Sequence, residues 1–232
     1  MSHFHGLGHT RSVLRRDHLL QTPDTFIRAP LPGMRKATAV VHAGPAVGAG
    51  FVEYTAEMEA GGELGPSVGQ RFCYVIEGGV DGLETGGYGY FSDPCPIVAR
   101  IASKVLVIER AGESDCRTFR GKAGDVAGVA LGGDSGVQVQ VLLADELNLN
   151  FAVNLMTFQP GAALSLVEMH VMEHGLMMLE GGGIYRLSDC WYPVSAGDFI
   201  WMAPFCPQWF TAVGKTPAKY IIYKDWNRHP GV

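Results

Sequence analysis

The chain has no apolar run approaching the roughly 18 to 20 residues that cross a bilayer, so no membrane-spanning helix is expected. It has no basic excess either. Eighteen Lys and Arg stand against 23 Asp and Glu, a formal charge of −5, whereas a phosphate-binding surface needs clustered cations. Paired cysteines are also missing. Cys73, Cys95, Cys116, Cys190 and Cys206 are odd in number, scattered and never spaced CxxC. That pattern suits reduced thiols rather than a disulfide framework or a zinc knuckle. The segment Met1-Ser-His-Phe-His-Gly-Leu-Gly-His9 lacks a basic region followed by an apolar one, so no secretory signal is expected and a cytoplasmic protein is. Charged residues make up only 18% and hydrophobic ones 47% of 232 residues, enough to bury a large core in one domain or two small ones.

Thirty-one glycines and 13 prolines exclude a helical bundle. They punctuate short runs rich in Val, Ile, Tyr, Phe and Trp, which predicts an all-β chain. The chain also repeats itself. Phe51-Val-Glu-Tyr-Thr-Ala-Glu-Met-Glu-Ala-Gly61-Gly-Glu-Leu64 lies 100 residues before Phe151-Ala-Val-Asn-Leu-Met-Thr-Phe-Gln-Pro-Gly161-Ala-Ala-Leu164. Tyr74-Val-Ile-Glu-Gly-Gly79 matches Met177-Met-Leu-Glu-Gly-Gly182 at an offset of 103, Cys95-Pro96 matches Cys206-Pro207 at 111, and Val105–Ile108 matches Tyr220–Tyr223 at 115. Four ordered matches with a growing offset indicate duplication, with longer loops in the second copy. Each copy reads as a small antiparallel barrel or jelly roll, closed to avoid exposed sheet edges. The expected division is an arm over residues 1–45, a first unit over 46–130 and a second over 131–232, with the boundary near the glycine-rich stretch 121–136.

The second copy contains Glu168-Met-His170-Val-Met-Glu-His174. As a helix, it would place His170 and His174 on one face in the HxxEH form of an inverted zinc protease, and local propensity over 162–180 favours helix. As a strand and turn, it would put Glu168 and His170 on one face by the two-residue period and bring His174 back beside them. The repeat decides. Its counterpart, Gly61-Gly-Glu-Leu-Gly-Pro-Ser-Val-Gly69, is not a helix interior. The protease reading also asks for a third ligand and a large helical domain, and only 58 residues follow His174.

Downstream, Gly197-Asp-Phe-Ile-Trp-Met-Ala-Pro204-Phe-Cys-Pro207-Gln208 resembles the second motif of the cupin family, with Gln208 where that motif places a histidine. Gly161…Glu168-Met-His170…His174…Gly181 resembles the first motif, with Glu168 at its first histidine and His174 at its glutamate. Glu168, His170, His174 and Gln208 offer two oxygens and two imidazole nitrogens. This borderline-hard set suits Mn²⁺, with Fe²⁺ or Ni²⁺ as further options and Zn²⁺ less typical. In the first copy the corresponding positions are Gly65, Ser67, Arg71 and Ile97, of which only Ser67 is even a weak ligand. The first unit is therefore expected to be a metal-free scaffold. His3, His5 and His9 are expected to remain solvated.

In the last strand Tyr220, Ile222 and Lys224 share a face by the two-residue period. Lys224 can then look into the barrel, where its ammonium would neutralise a substrate or ligand carboxylate, or it can end the strand in solvent.

Taken together, Glu168-x-His170-x-x-Glu-His174-Gly175, Gly181-x-Gly-x-Tyr185, Gly197-Asp-x-Ile, Gln208 and Tyr223-Lys-Asp-x-Asn-Arg228 resemble the (S)-ureidoglycine aminohydrolases, a bicupin family of purine and allantoin breakdown. The resemblance covers most of residues 51–228 and is sharpest in the second copy. It implies two tandem jelly-roll units and Mn²⁺ held by Glu168, His170, His174 and Gln208. It further implies substrate contacts from Glu168, Gln208, Tyr220 and Lys224. The chemistry of the residues makes Glu168 and Lys224 the catalytic candidates, Glu168 as the proton shuttle and Lys224 as the partner of the substrate carboxylate. Release of ammonia from ureidoglycine and a homo-oligomer acting on a small molecule, without nucleic-acid or membrane partners, are also implied by the resemblance. The chain departs from the family at Gln70-Arg71-Phe72, where a longer, acidic segment is usual. Competing readings are a bicupin that binds a small acid as a sensor or store, and a cupin isomerase or dioxygenase.

Overall fold

The computed structural model describes residues 9–225 except Val68, Glu113, Asp145, Leu147 and Asn148. Among these residues the regular elements are β-strands joined by three-residue 3-10 turns. No helix is long and apolar enough to cross a membrane.

The central strands of each unit are apolar on both faces because both faces are buried. Along Ala218–Asp225, Tyr220 and Ile222 pack into one cluster with Phe158, Leu176, Tyr185 and Phe210. Ile221 and Tyr223, pointing the other way, join Phe51, Phe72, Tyr90 and Leu106. Gln70–Glu77 does the same in the first copy. Cys73 and Val75 enter a third cluster with Tyr54, Leu64, Ile97 and Val107, and Phe72 and Tyr74 enter the shared one. Each unit therefore has its own core, and a common apolar layer joins them back to back.

The first large sheet runs in the order Phe119–Lys122, Gly87–Phe91, Gln70–Glu77, Ser103–Arg110, Val52–Leu64, Arg35–Ala43, Arg28–Ala29. The second runs Val13–Leu14, His18–Gln21, Phe199–Met202, His174–Glu180, Ala218–Asp225, Phe151–Phe158, Asp134–Leu143, Val129–Leu131. It closes over a three-stranded sheet of Cys190–Ser195, Gly182–Leu187 and Gln208–Ala212. Residues of both sheets fill one core between them.

Registers carry the duplication into three dimensions. Val105 pairs with Ala56 on one side and Val75 on the other. Tyr220 pairs with Met156 and Met178. The offsets are 115, 100 and 103, the same three read from the repeated motifs. The stretch expected as an arm divides between the sheets: His18–Gln21 pairs with Phe199–Met202 of the second, while Arg35–Ala43 pairs with Val52–Leu64 of the first. Arg11 anchors this crossover through two bonds, of 2.6 and 2.9 Å, to the buried Asp198 carboxylate.

Residues 162–180 are not helical. Strand begins at His174, and the preceding stretch touches its neighbours through isolated bridges at Ala163–Thr211 and Glu168–Gln208. The helical propensity of this segment yields to the pairing that the barrel offers it.

Candidate active site

Glu168 and Gln208 form a two-residue antiparallel bridge in which each backbone N–H donates to the other's carbonyl at 2.8 Å. In such a hydrogen-bonded pair the two side chains stand opposite each other on one face. The chain then continues to His170, whose carbonyl accepts the Phe205 N–H at 2.7 Å. Phe205 adopts a φ of 63° in a turn closed by the Cys206 N–H donating to the Ala203 carbonyl at 3.1 Å. A left-handed conformation is costly for a bulky residue, and here it keeps the segment before Gln208 against the His170 loop.

His174 opens its strand in register with Lys224 and Met202. Its Nδ1 lies 3.3 Å from the Tyr223 carbonyl. That contact makes Nδ1 the protonated nitrogen and leaves Nε2 as a bare lone pair. Nε2 is buried and has no hydrogen-bond partner among the described residues. Burial, with the nearby charges of His170 and Lys224 adding to it, pushes the His174 pKa down to about 3, so the ring is neutral at physiological pH. The His170 Nε2 is 3.2 Å from Glu168 Oε2, and the two imidazoles meet edge to face at 5.3 Å.

A cavity of about 180 Å³ gathers these groups. Glu168, His170, His174, Gln208, Tyr220 and Lys224 all line it, on an apolar ground of Leu131, Met156, Leu164 and Ile222. All six residues singled out in the sequence therefore face one space. His174, Gln208 and Tyr220 are buried, whereas Glu168 and His170 are about one-third exposed and Lys224 is half-buried. Burial raises the Tyr220 and Tyr185 hydroxyl pKa values, so both stay protonated.

Tyr185, present in the sequence motif but given no role there, donates its hydroxyl to Gln208 Oε1 at 2.8 Å. This bond orients the amide. The signal for it was a fully buried tyrosine on a strand of the three-stranded sheet, since a buried phenol requires a polar partner.

The four candidate ligands suit a divalent cation. An imidazole nitrogen buried without a partner is what a ligand looks like before its ion, and the Glu168 and Gln208 oxygens with His170 complete a mixed oxygen and nitrogen set. Among the described residues, a tighter His, Cys and carboxylate group lies elsewhere, at Asp17, His18 and Cys206, with ligand atoms all within 4.8 Å. Its donors are already engaged. His18 bonds Asp17 and Tyr192 at 2.9 Å each, and Ser188 donates to Asp17. This group fastens the N-terminal strand to the second unit.

The matching place in the first unit is filled with protein. Arg71 stands opposite Glu109, the register of His174 and Lys224. Its guanidinium pairs with Glu109 at 2.7 Å and donates to the carbonyls of Cys95 and Gly65 at 2.9 and 2.7 Å. Ile97 pairs with Leu64 where Gln208 pairs with Glu168, so the counterpart of Glu168 is Leu64 rather than the Gly65 given by offset alone. The Ser67 hydroxyl is spent on the Gly69 carbonyl at 2.8 Å. Of the N-terminal histidines, His9 is exposed, and His3 and His5 lie outside the described residues.

A cupin-domain family model matches residues 154–223. The (S)-ureidoglycine aminohydrolase of Arabidopsis thaliana is 37% identical, with 99% of this chain and 83% of that protein aligned. A protein of Oryza sativa named probable (S)-ureidoglycine aminohydrolase is 35% identical over 96% of this chain and 77% of its own length. Among solved structures, the Escherichia coli protein Ylba superposes with a TM-score of 0.83 at 27% identity, covering 98% of each chain. A Bacillus subtilis oxalate decarboxylase variant shares the fold alone, with a TM-score of 0.72 at 11% identity over 94% of this chain and 78% of its own. With its duplicated jelly roll, its cavity in the second unit and this similarity over nearly all of its residues, the chain belongs to the (S)-ureidoglycine aminohydrolase family.

Proposed function

We propose that this protein hydrolyses (S)-ureidoglycine to (S)-ureidoglycolate and ammonia, as the names of its relatives indicate for them. The observation that carries the reading is the convergence of Glu168, His170, His174, Gln208, Tyr220 and Lys224 on one cavity. Glu168, His170, His174 and Gln208 would hold one divalent cation, with Mn²⁺ best suited to the donor set. When bound, the ion supplies positive charge that fixes the substrate and stabilises charge developing at the reacting carbon.

The protein's own groups do the rest. Lys224, in register with His174, binds the substrate carboxylate and so selects which face of the adjacent carbon is open. The protonated Tyr220 hydroxyl and the Gln208 amide supply hydrogen bonds to the polar substrate. Water adds to that carbon: a C–O bond forms, the C–N bond to the amine breaks, and a proton from water leaves with ammonia. Glu168, partly open to the cavity, moves that proton. The first unit, its equivalent space filled by Arg71 and Glu109, serves as a scaffold. The same reading takes a small-molecule substrate with no nucleic-acid or membrane partner, a homo-oligomeric assembly and a cytoplasmic setting.

The test is elemental analysis of purified protein together with ammonia release from ureidoglycine under nitrogen. About one metal per chain and oxygen-independent turnover are expected. Binding of ureidoglycine without turnover would indicate a sensor or store, and dependence on dioxygen would indicate an oxygenase. Metal retained in full by His174→Ala would remove the ligand assignment.

A further inference from the structure

In a strand, the neighbours of an inward-facing residue point to the opposite face. On the strands that carry His174 and Lys224, that opposite face rests on the first unit, and the contacts there are polar as well as apolar. Glu173, immediately before His174, is buried. Its carboxylate accepts the Gly50 N–H of the first unit at 3.0 Å and the Trp201 indole N–H at 3.2 Å. A Cβ on Gly50 would sit 2.9 Å from Glu173 Oε1, so any side chain there displaces the carboxylate. Tyr223 and Asp225 flank Lys224, and Arg110 of the first unit reaches both, at 2.7 Å to the Tyr223 hydroxyl and 2.9 Å to the Asp225 carboxylate.

We infer that the first unit, though it holds no site of its own, positions the second unit's site through these two inter-unit clamps, Gly50 to Glu173 and Arg110 to Tyr223 and Asp225. Glu173 is a positioning residue: it fixes the short link between His170 and His174, and hence the separation of two candidate ligands. Arg110 likewise fixes the strand end that aims Lys224. Groups that orient ligands from behind typically change metal affinity 10- to 100-fold when removed. The inference rests on the ligand assignment made above.

Glu173→Gln keeps the volume but turns an amide N–H toward Gly50 N–H or Trp201 N–H, donor against donor. Gly50→Ala pushes the same carboxylate from the other unit and alters nothing in the cavity. The experiment is Mn²⁺ binding to the full-length metal-free protein by equilibrium dialysis, with melting temperature measured on the same samples. His174→Ala serves as the control for the site. We expect Mn²⁺ affinity to fall about 10- to 100-fold in Glu173→Gln and in the same direction in Gly50→Ala. The double variant should be no worse than Glu173→Gln alone. Arg110→Met should leave Mn²⁺ affinity intact and raise KM for ureidoglycine with kcat less affected, and Arg110→Lys should restore part of it. Wild-type Mn²⁺ affinity in both Glu173→Gln and Gly50→Ala, with His174→Ala unable to bind, would overturn the clamp while leaving the site. Mn²⁺ binding retained by His174→Ala would instead overturn the site itself.

Discussion

Lys224→Met separates a lysine that binds substrate from one that ends a strand in solvent. The structure places Lys224 opposite His174, lining the cavity and only partly exposed. Methionine keeps the aliphatic stem and its packing and removes the charge. A substrate carboxylate left without its partner in a partly dry cavity costs about 2 to 5 kcal/mol. At about 1.36 kcal/mol per decade, this is a loss of roughly 30-fold to several-thousand-fold in kcat/KM. Lys224→Arg should rescue poorly, because the planar guanidinium needs more room than a narrow cavity leaves and a different geometry. The assay is steady-state ammonia release by the three proteins, with bound metal measured in each. Metal content should be the same throughout, since lysine is not among the ligands. Near-native kcat/KM in Lys224→Met would refute the carboxylate role and weaken the aminohydrolase reading with it.

Three further outcomes are expected. Chelation should leave the far-ultraviolet circular dichroism intact and lower Tm only by the binding linkage, because the second core is built from Phe158, Leu176, Tyr185, Phe210 and Tyr220 rather than from ligands; loss of the β signal would show a structural metal. His42, bonded through both ring nitrogens to Gln21 and Thr55, is held at a pKa of about 3 by burial, with the Lys104 charge adding to it. The unfolded chain takes up that proton near pH 6.5 and the folded one does not, so its contribution is full above pH 6.5 and is lost as pH falls. Denaturant melts at pH 7 and pH 4 should show wild type losing about 3 kcal/mol more than His42→Asn, and equal losses would contradict this. Glu53 is fully buried with neither carboxylate oxygen hydrogen-bonded among the described residues, and burial holds its pKa well above the ordinary range. A raised carboxyl stabilises fully below its unfolded pKa and loses that contribution as pH rises. Glu53→Gln should therefore gain Tm on wild type progressively from pH 5 to pH 8, and a gap independent of pH would disprove the assignment.

Much of this protein is legible in one dimension because the fold is written twice. The glycine punctuation and the two-residue period establish strands. The offsets of 100, 103 and 115 survive intact as registers around Val105 and Tyr220, since hydrogen-bonded neighbours in a sheet tolerate insertion only in the loops between them. The repeat also settled residues 162–180 against their own helical propensity. Of the six cavity residues, strand alternation put Tyr220 and Lys224 on one face and Glu168 and His170 on another, the turn brought in His174, and Gln208 came from the resemblance to the second cupin motif. Which way Lys224 points was settled by the structure. Other features depended on tertiary structure. Residues 18–21 carry no local sign that they pair with Phe199–Met202 nearly 180 positions away. Glu173 reads as one more acid in a motif until Gly50 and Trp201 are placed against it, and Arg71 reads as a surface charge until Glu109 is found opposite it in a filled interior. Periodicity says which way a side chain points. Which partner meets it there is set by long-range packing, and a sequence carries no distance between residues far apart in the chain.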